Sequence, residues 1–358
     1  MTISLGMPRI ARRVDLAGRP DTPGLVDRFG RVATDLRVSL TDRCNLRCTY
    51  CMPADGLDWL PRDQAMSAEE IARLVGLGVR ELGVQQVRFT GGEPLLRADL
   101  VEIIRAVAAL EPRPEISLTT NGIGLAGRAV ALREAGLDRL NVSLDTVHAA
   151  TFSEITRRPF LAKVLAGIDA ARDAGIAPIK INAVLMPGVN DDQAADLLTW
   201  ALREGHQLRF IEQMPLDADH VWSRDGMLTA DDIRARLSAE YTLVPDEAPR
   251  DGAPAELYRV HPLGVPTAPP LGLVGIIASV TESFCADCRR TRLTAEGGVR
   301  SCLFSHDEIA LMPALRGGGS DQEILDLWRG AMWAKPQGHG IDDPSFVQPD
   351  RPMSAIGG

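Results

Sequence analysis

The chain has 358 residues, of which 45% are hydrophobic and 24% are charged, and its formal net charge at pH 7 is −9. This composition is that of an ordinary globular protein of one or two domains, and the acidic balance argues against a general nucleic-acid coat protein. No run of about 18 apolar residues occurs, and the first thirty residues lack the apolar core of a signal peptide. We therefore predict a cytoplasmic protein with no membrane span and with reduced thiols.

In chain order, the first 34 residues show no clear periodicity and are interpreted as an N-terminal extension. From residue 35 to about residue 214, strand-like and helix-like segments alternate. The predicted strands cover residues 35–40, 85–90, 116–121, 138–145, 179–185 and 208–213. The predicted helices begin at the capping box Ser67-x-x-Glu70, near Ala98, near Gly127, near Phe160 and at Asp191. Asp191 and Asp192 are expected to cap the last of these helices.

Six β-α repeats predict a parallel sheet with right-handed crossovers. We assign residues 35–245 to this core and residues 246–358 to a C-terminal region with a tail. The segment from Pro245 to Pro270 is rich in proline and is expected to be irregular.

The predicted strands alternate between apolar and polar residues, whereas strands that are covered on both faces usually read as continuous apolar runs. The polar positions include Arg37, Arg88 and Lys180. If the sheet curls so that the helices cover its apolar face, the three cations point into a lumen. Because buried cations are costly without an anion, the pattern predicts a polyanionic ligand such as a nucleotide. The alternative is that some of these strands are edge strands with one face in solvent.

The six cysteines form two groups, Cys44-x3-Cys48-x2-Cys51 and Cys285-x2-Cys288 followed by Cys302. In a reducing compartment such groups favour metal ligation over disulfides. Structural zinc needs four ligands, and only His306 lies close enough to complete the second group. Three thiolates suit a four-iron cluster whose remaining iron is open to a ligand. The sequence thus predicts two [4Fe-4S] clusters, with zinc in the second group as the alternative.

The segment Cys44-Asn-Leu-Arg-Cys48-Thr-Tyr-Cys51 resembles the cysteine motif of radical S-adenosylmethionine (SAM) enzymes. The next strand leads into Thr90-Gly91-Gly92-Glu93-Pro94, which resembles the GGEP motif of that superfamily. The resemblance implies a partial (β/α)6 barrel similar to a TIM barrel, with a C-terminal region that carries a second cluster.

The second cysteine group, with Arg290-Thr291-Arg292 directly after it, resembles the GTP 3′,8-cyclase family, and the likeness extends to the terminal Gly357-Gly358. This family carries out the first step of molybdenum cofactor biosynthesis. Its members are lyases that cyclise GTP to (8S)-3′,8-cyclo-7,8-dihydroguanosine 5′-triphosphate by means of a 5′-deoxyadenosyl radical.

The resemblance also implies residue roles. The first cluster would bind Cys44, Cys48 and Cys51, and the second would bind Cys285, Cys288 and Cys302. SAM would contact Tyr50, Gly92, Ser143 and Met214, with Gly92 allowing a close approach of its methionine moiety. GTP would contact Arg37, Arg88, Thr119, Lys180, Arg290, Thr291 and Arg292, and Gly357 and Gly358 would enter the cavity. His148, His206, His220, His261 and His339 receive no role.

The implied partners are GTP, an electron donor and the downstream cyclic pyranopterin monophosphate synthase. We expect no binding to nucleic acid or to a membrane. The protein is expected to be a monomer or a homodimer. Three alternatives stay open. They are another two-cluster radical SAM enzyme that acts on a peptide or prepares a maturation product, an iron–sulfur electron-transfer module, and a zinc-binding interaction protein.

Overall fold

The computed structural model describes residues 9–11, 14–351 and 353–356. Its strands are β1 Arg9–Ala11, β2 Leu25–Val26, β3 Val32–Ala33, β4 Asp35–Ser39, β5 Gln86–Thr90, β6 Glu115–Thr120, β7 Arg139–Ser143, β8 Ile179–Val184, β9 Gln207–Ile211, β10 Tyr241–Pro245, β11 Glu256–Pro262, β12 Gly272–Ile277, β13 Arg290–Leu293, β14 Gly298–Arg300 and β15 Asp307–Ala310. Its α-helices are α1 Ala68–Glu81, α2 Leu100–Ala108, α3 Ala129–Glu134, α4 Ala149–Thr156, α5 Leu161–Asp173, α6 Ala194–Arg203, α7 Ala230–Ser238, α8 Met312–Arg316, α9 Asp321–Trp333 and α10 Met353–Ile356.

Thirteen strands form one open sheet in the order β1-β15-β14-β13-β4-β5-β6-β7-β8-β9-β12-β11-β10, and β2 and β3 form a separate hairpin. The six predicted strands, β4 to β9, are parallel neighbours in chain order. Strand β13 extends this parallel array beside β4, and β12 extends it beside β9. The predicted (β/α)6 partial barrel is therefore confirmed as a curled, unclosed sheet, and the C-terminal region contributes the strands on both of its sides.

The periodicity of the sequence decides which face of the sheet is apolar. Leu36, Val87, Leu118 and Val142 are fully buried in the main core, where the helices cover the outer face of the sheet. Their neighbours along the strands face the other way, as the alternation predicts. The predicted capping box of α1 is present, because the Ser67 hydroxyl accepts from the backbone N–H of Glu70 and the Glu70 carboxylate accepts from that of Ser67.

Two expectations about local structure differ from the fold. Asp191 does not cap a helix; one of its carboxylate oxygens accepts from the Gly188 N–H at 2.7 Å and the other pairs with Arg236 at 2.7 Å. No side-chain cap hydrogen bond forms at the turn that begins at Asp191. The proline-rich segment is not wholly irregular, because β11 lies inside it and pairs with both β10 and β12. Alternating apolar residues in β11 outweigh the prolines, which fall at its ends and beyond.

The described part of the N-terminal extension packs against the C-terminal region. The indole N–H of Trp333 donates to the carbonyl of Ala17 at 3.1 Å. The Arg31 guanidinium donates to the carbonyls of Cys285 and Gln337, both at 2.7 Å. This extension therefore supports the loop of the second cysteine group.

Within the described part of the chain, no helix has the length and apolar character needed to cross a membrane.

Candidate active site: a cavity lined by six cysteines

A cavity of about 300 Å³ lies inside the curl of the parallel strands, and all six cysteines line it. Strands at both ends of the parallel array contribute to its wall, with Arg290 and Arg292 from β13 and Ile277 from β12. The two cysteine groups are 234 residues apart in sequence, counted from Cys51 to Cys285. The fold thus places both groups on one enclosed space.

The first cysteine group lies on the loop that follows β4, at the carboxyl edge of the sheet, where parallel αβ folds usually place their sites. The loop is held by α4, because the backbone N–H groups of Arg47 and Thr49 donate to the carbonyls of Thr156 and Ile155. Around the sulfur of Cys44 the donors are neutral: the Leu46 N–H at 3.5 Å and the Asn121 amide at 3.8 Å.

The surroundings of the first group favour protonated thiols. Burial raises the pKa of Cys44 to about 11 and that of Cys51 to about 12. Burial and the carboxylate of Asp145 raise the pKa of Cys48 well above its usual range. A ligand that binds these sulfurs as thiolates must therefore supply positive charge of its own, as iron does.

The Gly91-Gly92-Glu93 turn packs directly on the turn that precedes Cys44. The N–H of Gly92 donates to the Thr41 carbonyl and that of Glu93 to the Arg43 carbonyl, both at 2.7 Å. A Cβ built on Gly92 would overlap the carbonyl groups of Asp42 and Arg43. The protein's own packing therefore requires a glycine here, and the approach of the SAM methionine moiety stays a prediction.

Glu93 joins this turn to the next strand. Its carboxylate accepts from the Thr120 hydroxyl and the Asn121 N–H, both at 2.6 Å, and from the Leu95 N–H at 2.9 Å. Complete burial nevertheless raises the pKa of Glu93 to about 7.

The second cysteine group has cationic surroundings. Cys285 and Cys288 precede β13, and Cys302 follows β14. The Lys335 ammonium donates to the sulfur of Cys288 at 3.3 Å. Burial acts to raise the pKa of Cys288, but Arg290 and Lys335 outweigh it and lower the pKa to about 6. At neutral pH this sulfur is therefore a thiolate even without iron.

The donor set of each group suits a cluster better than a single ion. Among the described residues, no three side chains of His, Cys, Asp or Glu are gathered as the ligands of one metal ion. A four-iron cluster does not need that convergence, because each thiolate binds a different iron. His306, the fourth ligand of the zinc alternative, is exposed and its Nε2 lies 3.1 Å from the Val347 carbonyl oxygen. The six free thiols thus fit two clusters with three protein ligands each.

The strand face behind the cavity carries more cations than carboxylates. Its cations are Arg37, Arg88, Arg139, Lys180, Arg209, Arg290 and Arg292, and its carboxylates are Asp35 and Glu115. Glu115 pairs with Arg139, and Asp35 lies 4.0 Å from Arg37. Nitrogen Nε of Arg37, Arg209 and Arg290 is buried without a hydrogen-bond partner in the described structure.

The pKa values of these groups reflect crowding of like charge. Burial and then Arg88 and Arg292 lower the pKa of Arg37 well below its usual range. Burial and then Arg209 lower the pKa of Lys180 to about 7. An anionic ligand would relieve both effects, because it would replace lost hydration and offset the repulsion. The predicted cationic lumen is therefore present.

Most residues expected to contact SAM or GTP line the cavity. They are Tyr50, Gly92, Ser143 and Met214 among the expected SAM contacts, and Arg37, Arg88, Thr119, Arg290 and Arg292 among the expected GTP contacts. The Tyr50 hydroxyl donates to Asp145 at 2.9 Å, which holds its ring beside the cysteine loop.

Two expected GTP contacts lie elsewhere. Thr291 points to the outer face of β13, where its hydroxyl is buried and accepts from the Trp328 indole at 3.0 Å. The alternation of side chains along a strand separates it from Arg290 and Arg292. Lys180 lies on the polar face near Arg209 and Arg139, beyond the residues that line the cavity.

Several cavity residues escaped the sequence analysis. Arg209 is a cation of the cavity, and Asn182 lines it with a buried Oδ1 that has no hydrogen-bond partner in the described structure. The polar alternation of β8 and β9 indicates both positions. His339 also lines the cavity, with its ring against Phe304, although it was given no role. No sequence pattern links it to the strands.

The C-terminal segment reaches the cavity as well. Met353 and Ser354 of α10 line it, and Ala355 and Ile356 pack on Leu216. Ser354 lies beside the Cys51 thiol. Gly357 and Gly358, the predicted tail contacts, lie outside the described residues.

Comparisons with known proteins agree with this geometry. Residues 38–201 match the family model of the radical SAM superfamily, and residues 206–341 match that of Molybdenum Cofactor Synthesis C. A GTP 3′,8-cyclase from Paenarthrobacter nicotinovorans is 59% identical over 94% of this chain and 97% of its own. One from Mycolicibacterium smegmatis is 58% identical over the whole of both chains.

Among solved structures, SuiB of Streptococcus suis bound to S-adenosylmethionine superimposes with a TM-score of 0.58 at 14% identity, over 87% of this chain and 69% of that one. At this identity the likeness shows a shared fold only. The full-length relatives decide against the electron-transfer, zinc-binding and peptide-modifying alternatives. The chain belongs to the GTP 3′,8-cyclase family of radical SAM enzymes.

Proposed function

We propose that this chain cyclises GTP to 3′,8-cyclo-7,8-dihydroguanosine 5′-triphosphate, the first step of molybdenum cofactor biosynthesis. The observation that carries the proposal is the cavity itself, in which two triads of free thiols line one space with a cationic strand face. A cavity with these two features can hold two clusters together with a polyphosphate.

At the first site, Cys44, Cys48 and Cys51 would hold a [4Fe-4S] cluster. The cluster and SAM together supply a 5′-deoxyadenosyl radical, which removes the hydrogen atom from C3′ of GTP. Tyr50, Ser143 and Met214 would surround SAM, since all three line the cavity. Gly92 would act by setting the position of the turn before Cys44.

Along the strands, the cations would bind the triphosphate. Arg37, Arg88 and Arg292 lie on neighbouring strands at matched positions of the sheet, so their guanidinium groups face one region. Planar guanidinium groups donate paired hydrogen bonds to phosphate oxygens. Thr119 would add a hydroxyl from β6, and Lys180 would act at longer range. A phosphate at Arg37 would also satisfy the buried Nε of that residue, which has no hydrogen-bond partner in the described structure.

At the second site, Cys285, Cys288 and Cys302 would hold the second [4Fe-4S] cluster, whose open iron would bind the guanine base. Arg290 lies between this site and the phosphate-binding arginines, with its guanidinium 4.8 Å from the centre of the Phe284 ring. Holding base and triphosphate at two fixed points would keep C8 near C3′ of the same molecule. Such positioning replaces a bimolecular encounter and accounts for a large part of a rate enhancement.

The reaction also requires partners outside the chain. A one-electron donor must reduce the first cluster, and the product would pass to cyclic pyranopterin monophosphate synthase. Enclosure of the cavity by α10 would keep the radical from solvent, and Gly357 and Gly358 would extend from that helix. Removing these two glycines should abolish cyclised product while both clusters remain. Full activity of the truncated enzyme would refute their role.

The decisive experiment is an anaerobic incubation with SAM, reductant and GTP deuterated at C3′. We expect deuterium in 5′-deoxyadenosine and a cyclised nucleotide, both measured by mass spectrometry. SAM cleavage without deuterium transfer would contradict the proposed substrate or the proposed position of attack.

The variant Arg290→Ala separates the two halves of the site. It should weaken GTP binding and leave SAM cleavage intact, because Arg290 lies by the second cysteine group. Loss of SAM cleavage with unchanged GTP affinity would contradict this assignment.

A further inference from the structure

Lys335, two residues after the end of α9, is a buried ammonium group beside the second cysteine group; its side chain and backbone together are only 3% exposed. Its Nζ donates to the Cys288 sulfur and the Cys288 carbonyl, each at 3.3 Å, and to the Arg290 carbonyl at 2.9 Å. No carboxylate of the described residues lies within ion-pair distance of it.

A buried cation is costly unless an anion lies beside it. Two of the three partners of Lys335 are neutral carbonyls, so the sulfur of Cys288 is the only one that can carry negative charge. The position of Lys335 is therefore matched to an anionic group at the second cysteine site.

At the first cysteine group, the nearby Arg47 guanidinium donates to the Cys44 carbonyl at 2.8 Å rather than to a sulfur. The donors to the Cys44 sulfur are a backbone N–H and a neutral amide, and the nearby Glu93 and Asp145 are carboxyl groups. The two sites have the same number of cysteines but differ in the donors to the sulfurs of Cys44 and Cys288. Charge and hydrogen bonds at the sulfurs are among the main factors that set the reduction potential of an iron–sulfur cluster.

We propose that Lys335 is a positioning residue that raises the reduction potential of the second cluster, by placing a hydrogen-bonded positive charge on its Cys288 ligand. Reduction adds negative charge to the cluster, and a fixed cation at 3.3 Å favours that state. The same ammonium ties the peptide of Arg290 to the cluster ligand, so one side chain fixes both the cluster and an arginine of the substrate cavity. This inference rests on the second cluster of the proposed function.

Three substitutions separate charge from hydrogen bonding. Lys335→Met removes both, Lys335→Gln keeps an N–H donor without the charge, and Lys335→Arg keeps the charge. Lys163→Met is a matched control, because Lys163 is exposed on α5 above the Phe160 ring, away from both sites.

The holoenzymes are reconstituted anaerobically, assayed for iron and sulfide, and titrated with reductant while the two cluster signals are followed by electron paramagnetic resonance. The first cluster is identified as the one whose signal changes when SAM is added. At a fixed potential, we expect Lys335→Met to raise the oxidised-to-reduced ratio of the second cluster about tenfold. For a one-electron couple, this ratio corresponds to a reduction potential that is lower by about 59 mV. Lys335→Gln should shift it in the same direction, whereas Lys335→Arg, Lys163→Met and the first cluster should match wild type.

An unchanged potential of the second cluster in Lys335→Met, at full iron content, would overturn the inference. If Lys335→Met fails to hold the second cluster, the reduction potentials of that cluster in Lys335→Gln and Lys335→Arg are compared instead. Equal potentials in these two variants would also overturn the inference. Failure of the proposed function is a separate result, in which wild-type enzyme binds no second cluster.

Discussion

Gly92 offers the sharpest test of how the fold builds the first site. A Cβ at this position would lie 2.6 Å from the carbonyl carbon of Arg43 and still closer to the carbonyl oxygens of Asp42 and Arg43. Non-bonded carbon atoms normally approach to about 3.5 Å, so Gly92→Ala must separate the two turns by about 1 Å. Because the displaced turn leads directly into Cys44, the change should move a cluster ligand.

We expect Gly92→Ala to lose the first cluster and keep the second, so that anaerobic reconstitution yields roughly four irons per chain instead of roughly eight. SAM cleavage should fall by about a hundredfold or more, since a misplacement of about 1 Å can cost that much. The overpacking itself should destabilise the protein by about 1–3 kcal/mol. Iron and sulfide analysis and 5′-deoxyadenosine formation measure the first two effects.

The control is Gly127→Ala, because a Cβ at Gly127 meets no atom within 4 Å. It should behave as wild type in every assay. Full iron content in Gly92→Ala, combined with weakened SAM binding, would refute the packing argument. That result would instead support the role expected from the sequence, in which Gly92 gives the SAM methionine moiety a close approach.

Three further substitutions probe the electrostatics of the fold. Arg209→Met should stabilise the ligand-free protein, because the lost guanidinium is buried with an unpartnered Nε, and should weaken GTP binding by about tenfold to a hundredfold. Thermal unfolding measures the stability and equilibrium dialysis measures the affinity for GTP. Lower stability with unchanged affinity would contradict this prediction. Burial raises the pKa of Glu93 from 4.5 to about 7. The contribution of the protonated carboxyl to the free energy of unfolding is therefore fully present below about pH 4.5 and is lost as the pH rises through 7. Urea unfolding at about pH 5 and about pH 8 should therefore show this loss in wild type and not in Glu93→Gln, and equal pH dependence would disprove it. Glu308 accepts hydrogen bonds from both Arg300 and Arg351 in a buried network. Glu308→Gln should therefore lower the free energy of unfolding by about 3–5 kcal/mol. A loss below about 1 kcal/mol would mean that the network is not stabilising.

The positions of the core strands could be predicted because their pattern is local. Alternation of apolar and polar residues places Leu36 in the core and Arg37 in the lumen, and this assignment does not depend on distant parts of the chain. The same alternation excludes Thr291 from the cavity, although the family resemblance had placed it with its neighbours Arg290 and Arg292.

The contacts that span long stretches of chain could not be predicted. Nothing near Cys288 in the sequence indicates that Lys335 will bind its sulfur, and nothing near Cys285 indicates that Arg31 will hold its carbonyl. Such pairs depend on where α9 and the N-terminal hairpin pack, which is decided by burial of apolar surface over the whole molecule.

The sequence alone therefore determined the chemistry: two groups of three thiols, a polar strand face with cations, and the order of the six parallel strands. These features follow from residue type and from periods of two and 3.6 residues, which act over a few neighbours. Only the tertiary structure decided that both thiol groups line one cavity, because that required the C-terminal strands β12 and β13 to close the two sides of the curl. It also decided which charged groups lie beside the cysteines, since Lys335, Glu93 and Asp145 come from separate segments that are brought together by packing.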